Sequence, residues 1–505
     1  MISSITIVGG GTAGFVSALI LQKTFGDKIK IRVVRSTKIG IIGVGEGSTE
    51  HWADFLNYID VEHKEVIKKC DATIKCGIMF RNWTSKDYIH NVSEPYDKRY
   101  SQQRLAYTKL MAEGRSIFEM VHPEMLVNKV HKRHAENFTT PVNQYHFNTN
   151  KLNEFLTNLS VERNIDVIDD EIKDVILNEN GEVDYLVGEN DNYNSDFYID
   201  STGFKRVIMS KLGAKWKSYE KYLKLNTAIV FPTGDKENYN TYTTATAMKY
   251  GWRFNIPVFG RHGNGYIFDG NYITADEAKK EVEEELGHEI NVAKEIKFTP
   301  GALEKSWIKN CYAIGLSANF VEPLEATSIG TSISQAYLLA NYLINYDENT
   351  IEFVNKQVNS IMDNIRDFVF LHYLTDRDDT KFWQDVKKIE MPESLKEKMK
   401  LWKNRLPYAE DFSSQSDYCL FWDRNFTLVM YGLGLINRDS LRQIVGKTNK
   451  MFLNNVNDII EVEEGNLDFA IQNNELITHK EYLKAIRGEW NGFERCKSKK
   501  NKFTA

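Results

Sequence analysis

The sequence predicts an α/β fold: a Rossmann-like sheet with an inserted β-sheet layer, followed by a mainly helical C-terminal region. Three stretches predict it. "SITIVGGGTAGFVSALILQKTF" (4–25) is a short apolar strand, a glycine turn and a helix. "DFYIDSTG" (196–203) is an apolar strand ending in small residues. "CYAIGLSANFVEPLEATSIGTSISQAYLLANYLI" (311–344) is a strand, a loop and a long helix with apolar residues at helical spacing. These stretches lie far apart, so the module is discontinuous. Its segments fall at about 1–85, 150–210 and 305–350 within residues 1–350, with the second sheet inserted between them. Residues 351–505 are expected to form a mostly helical region.

The first stretch justifies the nucleotide-binding reading. Gly9, Gly11 and Gly14 have the G-x-G-x-x-G spacing. Gly9 permits the tight turn, Gly11 lets backbone approach a pyrophosphate, and Gly14 lets helix pack on strand. Thr12 and Ala13 open the helix whose N-terminus faces the phosphates. The next strand, "IKIRVV" (29–34), should end in an acid that holds a ribose hydroxyl, but Arg35 and Ser36 follow it. Either Ser36 takes that role, or Arg35 stacks on the adenine or meets a phosphate. The missing acid argues against ordinary NAD binding, and the second and third stretches point to FAD in a flavin monooxygenase type of fold. Gly203 and Ile329 belong to the same cofactor-binding set. No second strand-glycine-helix fingerprint follows: "GRHGNG" (260–265) and "YGLGLI" (431–436) lack the flanking pattern. A dedicated NAD(P)H domain is therefore not expected.

Composition narrows the partners. Apolar residues make up 42% and charged residues 27%, as in ordinary globular proteins. The net charge of −6 leaves no nucleic-acid footprint, and the basic tail "KSKKNK" (497–502) reads as a frayed end. Cysteines 70, 76, 311, 419 and 496 are scattered without a CxxC, and "HKRH" (131–134) has no acidic or thiol partner nearby. No metal site or disulfide framework is expected. "MISSITIVGG" runs straight into the first motif, leaving no room for a signal peptide. No run of 18 apolar residues suggests a membrane span. A reduced, cytoplasmic protein is expected, with its oligomeric state, homo-oligomer included, left open.

"DATIKCGIMFRNW" (71–83) raises a separate question. Read as one strand, it puts Ala72, Ile74, Cys76, Ile78 and Phe80 on one face and Lys75 on the other, with Thr73, Gly77 and Met79. Lysines are mostly exposed, so this window alone favours a solvated Lys75.

Several segments together resemble the flavin-dependent halogenases of the tryptophan-halogenase type. "GGGTAG" (9–14) matches the family's opening motif, with Phe15 where tryptophan is usual. "GVGEGS" (43–48) is similar to the segment that covers the flavin, placing Gly43, Gly45, Glu46, Gly47 and Ser48 in the cofactor site. "DATIKCGIMFRNW" resembles the segment of the catalytic lysine, with Lys75 on that position. "AMKYGWRFNIPVFGRHGNGYIF" (247–268) resembles a Trp-x-Trp-x-Ile-Pro region, where Trp252, Ile256 and Pro257 match and Phe254 replaces the second tryptophan. These four would wall flavin from substrate, although Trp252 reads equally well as core packing. "GLSANFVEPLEATSIG" (315–330) resembles the segment of the catalytic glutamate and halide site, with Glu325 on the glutamate position and Thr327 and Ser328 offering N–H groups to the anion. Ala326 stands where serine is usual, and Ser328 where glycine is usual. "RDFVFLHYLTDRDDTKFW" (366–383) also matches and is read as structural. The resemblance runs from residue 2 to about 385.

The resemblance implies a reaction. Reduced FAD from a separate flavin reductase, with O2, would convert halide into hypohalous acid, and Lys75 would receive it before an electron-rich aromatic is halogenated. Glu325 would polarise the electrophile or accept the ring proton. A carboxylate in the first turn of a helix from 325 would instead only favour the dipole. "AEDFSSQSDYCLFWDRNF" (409–426) lacks the insertion with which tryptophan-specific members grip the amino acid. An indole, phenol or similar aromatic is therefore expected rather than free tryptophan. The Asn- and Lys-rich composition suggests an AT-rich genome, and the whole resembles a marine cyanophage member of the family, which would place the enzyme in a host cytoplasm. Two other readings remain at this stage: a single-component FAD aromatic monooxygenase, and a catalytically inactive flavin-binding protein.

Overall fold

A computed structural model of the protein describes residues 2–41, 43, 46–92, 100–117, 125 and 127–489. The apolar strand Ser4–Val8 lies inside a six-stranded sheet. Its order is Trp307–Ile308, Cys311–Ala313, Phe197–Asp200, Ser4–Val8, Lys30–Arg35 and Asp166–Asp169. Ile5 pairs in parallel with Phe197 on one side and Ile31 on the other. Cys311–Ala313 and Asp166–Asp169 extend the parallel set, and Trp307–Ile308 closes one edge antiparallel. Ile5, Ile7 and Val33 are fully buried, as in a parallel sheet covered on both faces. The helices Thr12–Phe25 and Thr327–Tyr342 pack against each other beside this sheet. The three distant sequence stretches thus meet in one Rossmann-like layer.

The second layer is a seven-stranded sheet ordered Lys294–Lys297, Thr227–Thr233, Arg261–Phe268, Gly251–Val258, Tyr242–Met248, Gly77–Arg81 and Tyr88–Asn91. Its pairings are antiparallel except that Gly77–Arg81 runs parallel to Tyr242–Met248. The helical region starts with the long helix Glu348–His372. Its buried residues Ile361, Ile365, Phe368, Val369 and His372 recur at spacings of three and four and form one stripe. That stripe joins a core with Phe80, Trp83 and Trp252 of the second layer. Near the end of the described chain, Leu476–Thr478 pairs antiparallel with Lys129–His131, and the helix His479–Arg487 follows. Among the described residues no helix is long and apolar enough to cross a membrane.

Two local expectations are corrected. Residues 71–83 do not form one strand. Thr73–Ile74 pairs with Tyr145–Phe147, whereas Gly77–Arg81 pairs with Tyr242–Met248. Lys75 falls in the gap between these two pairings, with its amine against Ser48 and Gly47, and is buried rather than solvated. The helix expected from residue 325 begins at Thr327. Glu325 lies before it in a short turn at φ +73°, and Ala326 follows at φ +56°. The dipole explanation for Glu325 therefore lapses, because the carboxylate is outside the first helical turn.

Candidate active site

The nucleotide cleft forms at the carboxyl end of Ser4–Val8. Gly9 sits at φ +112°, and a Cβ there would lie 2.3 Å from the Ser201 carbonyl oxygen. A Cβ on Gly14 would lie 2.2 Å from Gly9 O, so helix and turn touch through glycine. A Cβ on Gly11 would meet nothing within 4 Å. That open space stands at a helix N-terminus with no side-chain cap, where first-turn N–H groups point outward. Arg35 packs across Gly10, and its guanidinium donates to Thr157 Oγ1 at 3.3 Å. Ser36 follows, half-buried. Gly203 turns at φ +69°, and its carbonyl accepts from Ser317 Oγ. Ala13 faces Gly315, and Ile329 is buried in the first turn of the later helix. The open position at Gly11 and the uncapped helix N-terminus lie at the ends of parallel strands, where this class of sheet places dinucleotides.

Gly43 and residues 46–48 lie between this cleft and a second, buried site. Gly43 lies against Thr149, and Gly45 is outside the described residues. Glu46 Oε2 accepts from Thr12 Oγ1 at 3.4 Å, and burial pushes its carboxyl up to about 7. Glu46–Gly47 pairs with Tyr145–Phe147. Ser48 continues that contact: its N–H donates to Tyr145 O, and its Oγ accepts from Tyr145 N–H. A Cβ on Gly47 would stand 3.1 Å from Ala326 Cβ and 3.8 Å from Lys75 Nζ. At this spot the cofactor-side segment, the lysine and the glutamate-bearing loop converge.

Lys75 is 1% exposed, and its Nζ donates to Ser48 O at 2.8 Å. Burial draws its pKa down to about 8, against the opposing pull of Glu325 and Glu50. Its backbone is held closely: Lys75 N–H donates to Gln144 O, and Cys76 N–H to Thr241 O.

Glu325 is also buried, between two histidines. Oε2 lies 2.8 Å from His90 Nδ1, and Oε1 lies 2.9 Å from His372 Nε2. Burial alone would raise this carboxyl, but the histidines override it and hold it near about 2. His372 Nδ1 lies 2.9 Å from Phe368 O, a carbonyl that can only accept. Nδ1 therefore carries a hydrogen, and the contact between Nε2 and Glu325 must share one further proton. His90 Nε2 faces the Asn425 amide at 3.2 Å. Asn425 lies within 409–426, so this C-terminal stretch reaches the site, and Phe421 stacks on Phe368 at 3.9 Å. The two left-handed residues 325 and 326 are backbone strain stored at this turn.

Thr327 and Ser328 open the helix Thr327–Tyr342, which no side chain caps. Trp252, Phe254 and Ile256 share a buried face of their strand, with Pro257 on the alternate face. Trp252 Nε1 donates to Glu322 Oε2 at 2.6 Å, and Tyr373 OH donates to the same oxygen at 2.6 Å. Burial pushes the Glu322 carboxyl up to about 7. Sequence reasoning missed His90, Glu322, His372 and Tyr373. The last two lie in 366–383, a segment read as structural, yet His372 touches Glu325 directly. Its available signal was a histidine and a tyrosine ending an otherwise apolar helical stripe.

The family model described as tryptophan halogenase matches residues 4–448. A 7-chloro-L-tryptophan 6-halogenase from Kutzneria sp. strain 744 is 31% identical over 444 residues, covering 80% of this chain and 86% of its own. A tryptophan 6-halogenase from Streptomyces toxytricini is 30% identical over 447 residues, covering 81% and 85%. Among solved structures, a tryptophan C-6 flavin-dependent halogenase from taromycin biosynthesis is similar at a TM-score of 0.85 and 27% identity, covering 96% of this chain and 100% of that one.

Proposed function

The chain belongs to the tryptophan halogenase family, and from that premise we propose that this flavin-dependent enzyme halogenates an electron-rich aromatic of the indole or phenol class, using Lys75 as the acceptor of hypohalous acid. One observation carries the reading: Lys75 is a buried amine whose pKa is drawn down to about 8, at the point where the cofactor-side segment meets the loop of Glu325. Near pH 7 about a tenth of such an amine is neutral, against well under a thousandth for an ordinary lysine. The neutral amine can take the halogen as a haloamine, releasing water, and the ammonium form can donate a hydrogen bond to the hypohalous acid.

The cleft fits FAD, because the volume a Cβ would fill at Gly11 is open beside an uncapped helix N-terminus. Gly9, Gly11, Thr12, Ala13, Gly14, Arg35, Ser36 and Gly203 would hold it, with Gly43, Glu46, Gly47, Ser48 and Ile329 on the side toward the buried site. When bound, reduced FAD with O2 supplies the two-electron oxidation that converts halide into hypohalous acid. The N–H groups of Thr327 and Ser328 would hold the halide. The absence of a second nucleotide fingerprint supports delivery of reduced flavin by a separate reductase. Glu325, held anionic by its histidines, opposes the positive charge that builds on the ring and accepts its proton transiently. The experiment combines purified protein, FAD, an unrelated flavin reductase, each halide in turn, and a panel of indoles and phenols read by mass spectrometry. No halogenated product from any pairing would sink the reading, as would NADPH oxidation by the isolated protein without a reductase.

A further inference from the structure

The chain beyond the matched family region returns to the site. The match ends at residue 448, yet His479, the first residue of the helix His479–Arg487, is completely buried beside the segment of Lys75. Ile74 N–H donates to His479 Nε2 at 3.1 Å. His479 Nδ1 lies 3.0 Å from Asn240 O. The carbonyl can only accept, and the amide N–H can only donate, so the ring is neutral with its hydrogen on Nδ1. Burial favours that neutral form.

The location of this ring matters. Two residues further along, the backbones pair directly: Cys76 N–H donates to Thr241 O at 2.7 Å, and Gly77 aligns with Tyr242. Between Ile74 and Asn240, which lies just before the strand Tyr242–Met248, an imidazole bridges the two backbones, accepting from one and donating to the other. This is also where the chain leaves Tyr145–Phe147 to join Tyr242–Met248, with Lys75 between the two pairings. The ring's width therefore sets the separation of the two backbones next to the lysine.

The helix bearing His479 is fixed by independent contacts. Thr478 and Glu481 form a capping box at its start. Lys480 pairs with Asp235 at 2.6 Å, and Tyr482 OH donates to Thr139 O at 3.0 Å. Arg487 reaches Asp71 Oδ1 at 3.4 Å and Lys68 O at 3.2 Å, gripping the chain just before Thr73.

We propose that His479 is a positioning residue for Lys75: its imidazole spaces the lysine segment from the backbone at Asn240, so that the amine stays on Ser48 O beside Gly47. The C-terminal segment Leu476–Arg487 is thereby a working part of the halogenation site. This rests on the reading of Lys75 as the acceptor of hypohalous acid.

The test uses the full chain with His479→Gln, His479→Asn and His479→Phe. A glutamine amide can accept from Ile74 and donate to Asn240. Asparagine can keep only the nearer bond, and phenylalanine neither. Four quantities are read: flavin reoxidation, halogenated indole per reduced FAD, hypohalous acid escaping to a thiol trap, and the pH midpoint of Lys75 acetylation by peptide mass spectrometry. Flavin reoxidation should not change in any variant. His479→Asn and His479→Phe should lose product per flavin by up to about 10²-fold, the scale of a 1 Å misplacement. Escaped hypohalous acid should rise in both, the acetylation midpoint should move, and His479→Gln should restore all three. If His479→Phe does not fold, His479→Asn against His479→Gln makes the same comparison. An unmoved midpoint with full product yield overturns the proposal, and so does a glutamine variant no better than asparagine. A moved midpoint with full yield upholds the positioning and instead overturns the role given to Lys75.

Discussion

Replacing Lys75 by methionine should abolish halogenation while leaving the protein as stable as before, or more so. Methionine keeps most of the apolar stem and removes the amine. Burial lowers the lysine pKa from 10.5 to about 8, which at about 1.4 kcal/mol per tenfold change means about 3 kcal/mol spent on keeping an ammonium folded. Against this, Ser48 O loses its donor at 2.8 Å, and a stranded buried acceptor costs about 1–3 kcal/mol. The balance lies between no change and a gain of about 2 kcal/mol. Below about pH 8 native and unfolded states both hold the proton, so the full cost is felt. As the pH rises from about 8 toward 10.5 the native state releases its proton first and the cost fades. The gain in the methionine variant should therefore shrink over that window. Urea titrations at about pH 7 and about pH 10 measure it, alongside halogenated indole per reduced FAD. A loss of more than about 2 kcal/mol at the lower pH would mark Lys75 as a structural residue, and retained product yield would refute its chemical role.

Gly11→Val should fold normally, since nothing lies within 4 Å of its Cβ position, but purify without flavin; normal FAD occupancy would place the cofactor elsewhere. Gly14→Val is the contrast, because its side chain would strike Gly9 O and should destabilise the fold itself, measured by thermal melting. Glu325→Gln should slow product formation in a single turnover by about 10²-fold or more, a milder loss than Lys75→Met, because an amide still hydrogen-bonds to His90 and His372 but cannot hold a proton; an unchanged rate would exclude proton transfer at this residue. Product per reduced flavin should rise with pH toward the Lys75 midpoint near about 8 if the neutral amine is the acceptor, and a flat profile would favour hydrogen bonding by the ammonium form. Free L-tryptophan should turn over more slowly than simple indoles or phenols across a panel, and a clear preference for it would show that 409–426 grips the amino acid by other means.

The fold class was legible because its signal is local. A strand, a glycine turn and a helix occupy 4–25 without interruption, and the close approaches at Gly9 and Gly14 leave no space for other residues. Burial of Lys75 was not legible. It depends on the distant residues Gly47 and Ser48 lying against the amine where the chain changes partner between Tyr145–Phe147 and Tyr242–Met248, and alternation within one segment cannot report this. The turn at Glu325 escaped for a related reason: two left-handed non-glycine residues in succession run against local preference and persist through surrounding contacts. His90 and His372 reach Glu325 across 235 and 47 residues, and His479 reaches Ile74 across 405. Side-chain partners at such separations leave no periodic trace in a single sequence.

The change of partner within residues 73–81 has a mechanical consequence. Lys75 sits on a seam, with its preceding residues hydrogen-bonded to Tyr145–Phe147 and its following residues bonded to the seven-stranded sheet. Tyr145–Phe147 belongs to a small three-stranded sheet with Glu46–Gly47 and Thr73–Ile74, and any slip of that sheet against the seven-stranded one is concentrated in the peptide units beside this amine, while strands inside either sheet move with their neighbours. Warming should therefore uncouple oxidant formation from product before either sheet melts, with the yield per flavin falling below the unfolding transition. With Lys75 as the acceptor of the oxidant, substitutions that staple these two sheets together should widen the working temperature range without touching the chemistry.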